Sequence, residues 1–166
     1  MRKWIIVLLC TLFLIAGCGT AKKEEAPAPK SEPNTTHITA DDKDISLEVS
    51  RQVKKFDSIK ALQSQEGYEV VGISVKIENK GSQPVEISPD FVTLITSDGT
   101  KYKYSELTSI TGKGGFRKVT LPKDYQGGGL LLFEIKKGIP AEKVQYTDKA
   151  GHNKTLKLDK VGETNV

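Results

Sequence analysis

Three groups of residues in this chain have types and spacings that could do chemistry. Cys18 offers a thiol nucleophile directly after Ala16 and Gly17, two small residues that leave the backbone open to a peptidase, with the branched Ile15 before them. Gly112-Lys113-Gly114-Gly115-Phe116-Arg117-Lys118 sets three cations around glycines that free backbone N–H groups, a combination suited to phosphate or another anion. It lacks the Gly-Lys pair followed by Ser or Thr that a nucleotide-binding P-loop requires. Asp41-Asp42-Lys43-Asp44 gathers three carboxylates, without the glycine and distal glutamate of a calcium loop, and reads as the solvated end of a linker.

Nucleophilic catalysis would need a Ser or Cys beside a His and an acid. The two histidines are His37, in a polar leader, and His152, in a turn between two expected strands, and both read as solvated loop residues. No cysteine pair or His-rich spacing suggests zinc, so no metal site, cofactor or catalytic residue is expected. The two cysteines, Cys10 and Cys18, both lie near the amino terminus, so the body of the chain has no disulfide. Arg2 and Lys3 are the only charges among the first 17 residues, so losing that segment takes the formal charge from +4 to +2. Lysines interleave with acids, as in Lys76-Ile77-Glu78, and nucleic acid is not an expected partner.

The elements that must position these groups begin at the amino terminus. Arg2-Lys3 leads an apolar run from Trp4 to Ala16, about a dozen residues long, against the roughly 20 that a spanning helix needs. A cationic start, a short apolar core and small residues before a break make a secretory signal peptide over residues 1–17. Ile15-Ala16-Gly17-Cys18 resembles the lipobox of bacterial lipoproteins. The resemblance implies that the Cys18 thiol carries diacylglycerol, that cleavage falls just before it, and that the protein sits on the extracytoplasmic face of the cell membrane. Residues 18–44, rich in Pro, Lys and Glu and poor in large apolar side chains, read as a disordered tether. About 25 flexible residues reach about 25–30 Å.

From Ile45 the hydrophobic period becomes two. Ile45, Leu47, Val49 and Val53 share one side of a strand, and Val71, Ile73, Val75 and Ile77 share one side of a longer one, Tyr68–Asn79. Phe56–Glu66 is ambiguous between one helical turn and a loop. Ser97-Asp98-Gly99-Thr100 signals a hairpin whose partner carries Tyr102 and Tyr104. Gly127-Gly128-Gly129 opens the strand Leu130–Ile135, apolar on both faces and therefore expected at the centre of its sheet. Val144–Thr147 and Thr155–Leu158 pair across the turn 148–153, and residues 161–166 form a loose tail. Seven or eight short antiparallel strands without a long helix predict an all-β sandwich over residues 45–160.

Val70-Val71-Gly72-Ile73-Ser74-Val75-Lys76-Ile77-Glu78-Asn79-Lys80-Gly81 is similar to the core motif of a telokin-like, immunoglobulin-fold family of unknown function, common in Gram-positive surface lipoproteins. Pro84-Val85-Glu86-Ile87 before Phe91, Ser97-Asp98-Gly99 before Tyr102, and Phe133-Glu134-Ile135 before Val144-Gln145-Tyr146 follow in the same order. The resemblance implies an immunoglobulin-like β-sandwich outside the cytoplasm and brings no catalytic residues.

Together these readings give a membrane-anchored, non-catalytic binding module. A protein partner or a cell-wall polymer is its expected ligand, and Lys113, Gly114, Gly115, Arg117 and Lys118 form its candidate anion-binding loop. A structural or envelope-stress accessory role beside a membrane machine is the alternative. The anchor is checked by fractionation: Cys18→Ala protein, once exported and cleaved, is expected in the culture medium, and its retention in the membrane would contradict lipidation at Cys18.

Overall fold

Period-two patterning closes into facing sheets because each strand presents one apolar side. A computed structural model describes residues 36–56 and 64–159. The signal segment, Cys18, most of the tether, residues 57–63 of the ambiguous stretch and the tail 161–166 lie outside the described residues.

Eleven strands are described: β1 (His37–Asp41), β2 (Ile45–Ser50), β3 (Lys54–Lys55), β4 (Tyr68–Asn79), β5 (Val85–Ile87), β6 (Val92–Thr96), β7 (Lys101–Tyr102), β8 (Val119–Leu121), β9 (Gln126–Lys136), β10 (Ala141–Thr147) and β11 (Asn153–Lys157). Two 3₁₀ segments, Pro89–Phe91 and Glu106–Gly114, interrupt them. The described strands outnumber the seven or eight expected: β1 falls in the stretch read as tether, and β3, β5, β7 and β8 are only two or three residues long. One sheet runs β1-β2-β4-β3 with β9 also on β4, a second runs β11-β10-β6-β7, and β5 pairs β8; every strand pair is antiparallel. Inward residues of the sheets meet in one core, including Ile45, Leu47, Ile73, Ile77, Leu94, Phe133, Val144 and Tyr146. The fold is an all-β, immunoglobulin-like sandwich.

Three sequence expectations are corrected. First, the domain starts before Ile45. His37–Asp41, placed by composition in the tether, is a strand in register with β2 from His37↔Ser50 to Asp41↔Ser46. Its turn is made by Asp42, whose Oδ1 accepts the N–H groups of Asp44 and Ile45, both at 2.8 Å. Composition misses it because Ile38 and Ala40 are its only apolar residues, too few to mark a strand by period.

Second, β9 is not central. It pairs with β4 alone, over eleven residues from Tyr68↔Lys136 to Glu78↔Gln126. On its other side the Leu132 carbonyl takes the Ser105 N–H at 2.7 Å, and the Leu130 carbonyl takes the Phe116 N–H at 3.2 Å. Thr108 Oγ1 accepts the Leu132 N–H at 3.0 Å. The 3₁₀ segment Glu106–Gly114 and its flanks thus cover an edge that a strand would otherwise occupy, which protects it from pairing with other chains. The two-sided apolarity has a separate cause. Leu131, Phe133 and Ile135 enter the main core, while Leu132 packs with Val70, Phe56, Leu107 and Leu130 in a smaller cluster on the opposite face.

Third, the glycines belong to β9 itself. Gly129, at φ 152°, would bring a Cβ to 2.6 Å from both the Gly114 carbonyl oxygen and the Phe116 nitrogen, so the covering segment could not sit where it does. Gly128, at φ 143°, would set a Cβ on the Val75 carbonyl oxygen.

Two measurements check these elements. Gly129→Ala, by denaturant unfolding, is expected to lose at least about 1–3 kcal/mol, the usual cost of such strain. Asp42 supplies a pH signature. Burial opposes its ionisation, but the hydrogen bonds from Lys154 and from the Ile45 and Asp44 N–H groups outweigh that and hold its carboxyl at about 2, down from 3.8. A depressed folded value gives stability that is present above the unfolded value and lost as pH falls through the folded one. Asp42→Asn should therefore melt lower than the native protein at neutral pH, with the gap closing between about pH 4 and pH 2.

Candidate functional site

The 3₁₀ segment that covers β9 also shapes the molecule's larger described cavity, about 660 Å³ in volume. It is capped by Ser105, whose Oγ accepts the Leu107 N–H at 3.3 Å, and kinks at Gly112, whose φ 62°, ψ −130° glycine supplies without strain, before ending at Gly114. Pro89, Tyr104 and buried Phe116 give the cavity an apolar side. Ser88, Asp90, Glu106, Ser109, Arg117 and Lys118 give it polar groups. That size lies within the roughly 300–1,000 Å³ typical of ligand pockets.

The expected anion-binding loop is only partly assembled here. Gly115, Arg117 and Lys118 line the cavity together with Gly112, whereas Lys113 and Gly114 do not. Two amides of the loop are used within the fold: the Gly115 N–H bonds the Gly112 carbonyl at 3.3 Å, and the Phe116 N–H bonds Leu130. Those two amides are therefore not available to an anion. The Arg117 guanidinium donates to the Gly112 carbonyl at 2.9 Å and stays exposed with its other N–H groups. Lys118 pairs with Glu86 at 3.2 Å, and Lys149 holds the other Glu86 oxygen at 2.9 Å. Those two hydrogen bonds, that of Lys149 foremost, keep the Glu86 carboxyl below its ordinary value. Asp90 and Glu106, neither anticipated from sequence, add acceptors to the same cavity.

Neither histidine lines this cavity, and its serines are engaged otherwise: Ser88 Oγ with Asp90 at 3.0 Å, and Ser109 Oγ with the Glu106 carbonyl at 2.7 Å. Among the aromatics outside the cavity lining, the Tyr102 hydroxyl accepts the Lys136 N–H at 3.4 Å. Tyr125 lies in the loop before β9, exposed.

His152 departs from the solvated loop residue expected of it. Its side chain is only 14% exposed, and Nδ1 lies 2.7 Å from Asp148 Oδ2. Asp148 shapes the turn, its Oδ1 accepting the Ala150 and His152 N–H groups at 3.0 Å. It also accepts the hydroxyl of fully buried Tyr146 at 3.1 Å, and burial, reinforced by the Asp148 charge, pushes the Tyr146 phenol well above its ordinary value. His152 Nε2 faces Asp44 Oδ2 at 3.8 Å, and Lys154 meets Asp42 Oδ2 at 2.6 Å. The acids at positions 41–44 therefore meet the β10–β11 turn and do not end a solvated linker. No sequence signal links residues more than a hundred positions apart; the approach of β1 to β11 brings them together.

Among the described residues, no helix is long and apolar enough to cross a membrane. No curated protein matches the chain. Among solved structures, the chain is similar to ycdA from Bacillus subtilis, described as a "putative lipoprotein", with a TM-score of 0.54 and 21% identity. That match covers 75% of this chain and 38% of ycdA, so this chain spans well under half of ycdA's length. MPT63, a secreted protein from Mycobacterium tuberculosis, gives a TM-score of 0.50 at 16% identity over 80% of this chain and 96% of its own. The yjhA protein from Bacillus subtilis gives 0.50 at 16% over 74% and 96%. At such identities the likeness is one of fold. Residues 37–157 match the domain of unknown function DUF4352, and the stretch Val70–Gly81 that carries the telokin-like resemblance falls inside that match. Because the match runs from the first residue of β1 to the last of β11, the chain belongs over its whole sandwich to the DUF4352 family.

Proposed function

We propose that this protein is a lipid-anchored binding module, held on the extracytoplasmic face of the membrane through Cys18, whose cavity takes a short stretch of an anionic cell-wall polymer. The cavity beside the glycine loop carries this reading. Arg117 offers a charge-assisted donor fork to a phosphate or carboxylate. Glu106 and Asp90 accept from hydroxyl groups, and Tyr104 with Pro89 offers an apolar face to a sugar or polyol. A polymer that repeats an anionic group and hydroxyls matches both halves of that lining. The role is non-catalytic, because the cavity serines lack an imidazole to activate them.

The membrane places such a ligand within reach. A diacylglycerol group on Cys18 supplies two buried chains, enough for stable attachment.

The test is calorimetric titration of the full chain, in detergent, with a glycerol phosphate oligomer and with a neutral oligosaccharide of equal length. Saturable binding of the anionic oligomer is expected, weakened about tenfold or more by Arg117→Gln, the size of one lost charged hydrogen bond. Tyr104→Ala should weaken it as well. Equal affinity for the neutral sugar, or binding indifferent to Arg117→Gln, would overturn the proposal.

A further inference from the structure

The cluster at His152 is separate from the cavity and has its own chemistry. Asp148, with a side chain 1% exposed, is surrounded by donors: the Tyr146 hydroxyl, two backbone N–H groups and the His152 ring. A carboxylate so placed only accepts, so the 2.7 Å contact requires the proton on Nδ1. In the neutral imidazole the lone pair is then on Nε2. That lone pair faces Asp44 Oδ2 at 3.8 Å, too long for a direct hydrogen bond. With the proton on Nδ1, the Nε2 lone pair and the Asp44 carboxylate face one gap, which a cation can bridge.

Asp42 offers a third ligand beside these two. One atom each from Asp42, Asp44 and His152 lies within 4.8 Å of the other two. Ligands on a tetrahedral zinc ion, with bonds of about 2.0–2.2 Å, stand about 3.3–3.5 Å apart. Asp44, with a side chain 41% exposed, has the freedom to close the difference. The ring Nδ1–H bound to a buried carboxylate repeats the carboxylate–histidine–metal arrangement by which proteins orient a ligating imidazole and raise its basicity.

Charge points the same way. Asp41, Asp42, Asp44 and Asp148 converge here, against Lys80 on Asp41 and Lys154 on Asp42. With neutral His152 these two pairs leave two negative charges, on Asp44 and Asp148, with only the exposed Lys43 near Asp44, at 3.8 Å. Lys154 is the competing cation, and its Nζ would have to leave Asp42 Oδ2 for that oxygen to ligate.

We propose that a divalent metal ion, with Zn²⁺ the best match to one imidazole nitrogen and two carboxylate oxygens, binds between His152 Nε2, Asp44 and Asp42, oriented by Asp148. The ion would leave a coordination position for water and would join the β1–β2 turn to the β10–β11 turn. Sequence spacing predicts no metal site because its ligands come from hairpins at opposite ends of the domain.

Calorimetric titration with Zn²⁺ tests this on the full chain in detergent at pH 7.5, with both thiols alkylated so that Cys10 and Cys18 cannot bind. One saturable equivalent is expected, together with a rise in melting temperature. His152→Gln and Asp44→Asn should abolish that equivalent while the metal-free proteins still melt cooperatively. Asp148→Asn should weaken it about 10–100-fold, Lys154→Met should tighten it, and His37→Gln should leave it unchanged. Absence of binding, binding that survives His152→Gln, or binding lost in His37→Gln would overturn the proposal. So would Ca²⁺ competing on equal terms, since an oxygen-only site would then hold the ion.

Discussion

The outer edge of β9 is the constraint on which the rest of this structure depends. A long strand paired on one side only leaves a row of backbone donors and acceptors that must be met or exposed. Here a non-strand segment meets them, and it can approach only because β9 begins with glycines. Gly129 lies where a side chain would collide with Gly114 and Phe116, so the same absence of a Cβ that weakens a strand allows its edge to be covered. The cavity follows from this. Its floor at Phe116 and its wall from Glu106 to Gly112 belong to the covering segment. The site is therefore fixed to the longest ladder in the fold even though its residues lie on a loop.

That ladder also explains why β4 is buried on both faces over Glu69–Ile73 but alternates beyond. The small cluster around Val70 and Leu132 covers the outer face only at that end. At the other end β4 finishes on Asn79, fully buried but satisfied. Its amide donates to the Gln83 and Leu121 carbonyls at 2.8 and 2.9 Å, and its oxygen accepts the Gly81 N–H at 3.0 Å. A buried amide with its donors and acceptor engaged costs little and fixes geometry. In this case it ties the turn after β4 to β8.

Local chemistry was legible in the sequence and long-range chemistry was not. The alternation of Ile45, Leu47 and Val49, the Asp98-Gly99 hairpin and the pairing of Val144–Thr147 with the last strand are all decided within a few residues, and the structure has each of them. Position in the sheet is not local. Leu130–Ile135 is apolar on both faces, and pattern alone cannot tell a central strand from an edge strand covered by a 3₁₀ segment. β1 hid in a polar leader because a strand that gets its order from register with β2 needs little apolar surface of its own. In the same way the glycine loop reads by composition as a set of free amides, whereas two of them serve β9 and the loop itself. Asp90, Glu106 and the surroundings of His152 gave no signal, because each depends on partners set by the pairing of distant strands.

Glu86 shows how such distant partners tune a site. It lies on β5, outside the cavity lining, yet it holds Lys118 on one oxygen and Lys149 on the other. Both pairs are exposed, where an ion pair is worth about 0–1 kcal/mol. The hold on Lys118 is therefore weak, and a ligand anion with two oxygens to offer can compete for it. Lys149 stands by to keep Glu86 neutralised when Lys118 leaves, so the exchange does not strand a charge. Arg117, tied by a single donor to the Gly112 carbonyl, keeps the rest of its fork available throughout. Under the proposed anion-binding role, the polarity of the cavity would thus be adjustable at Lys118 and constant at Arg117, and discrimination between charged and neutral ligands would rest on Arg117.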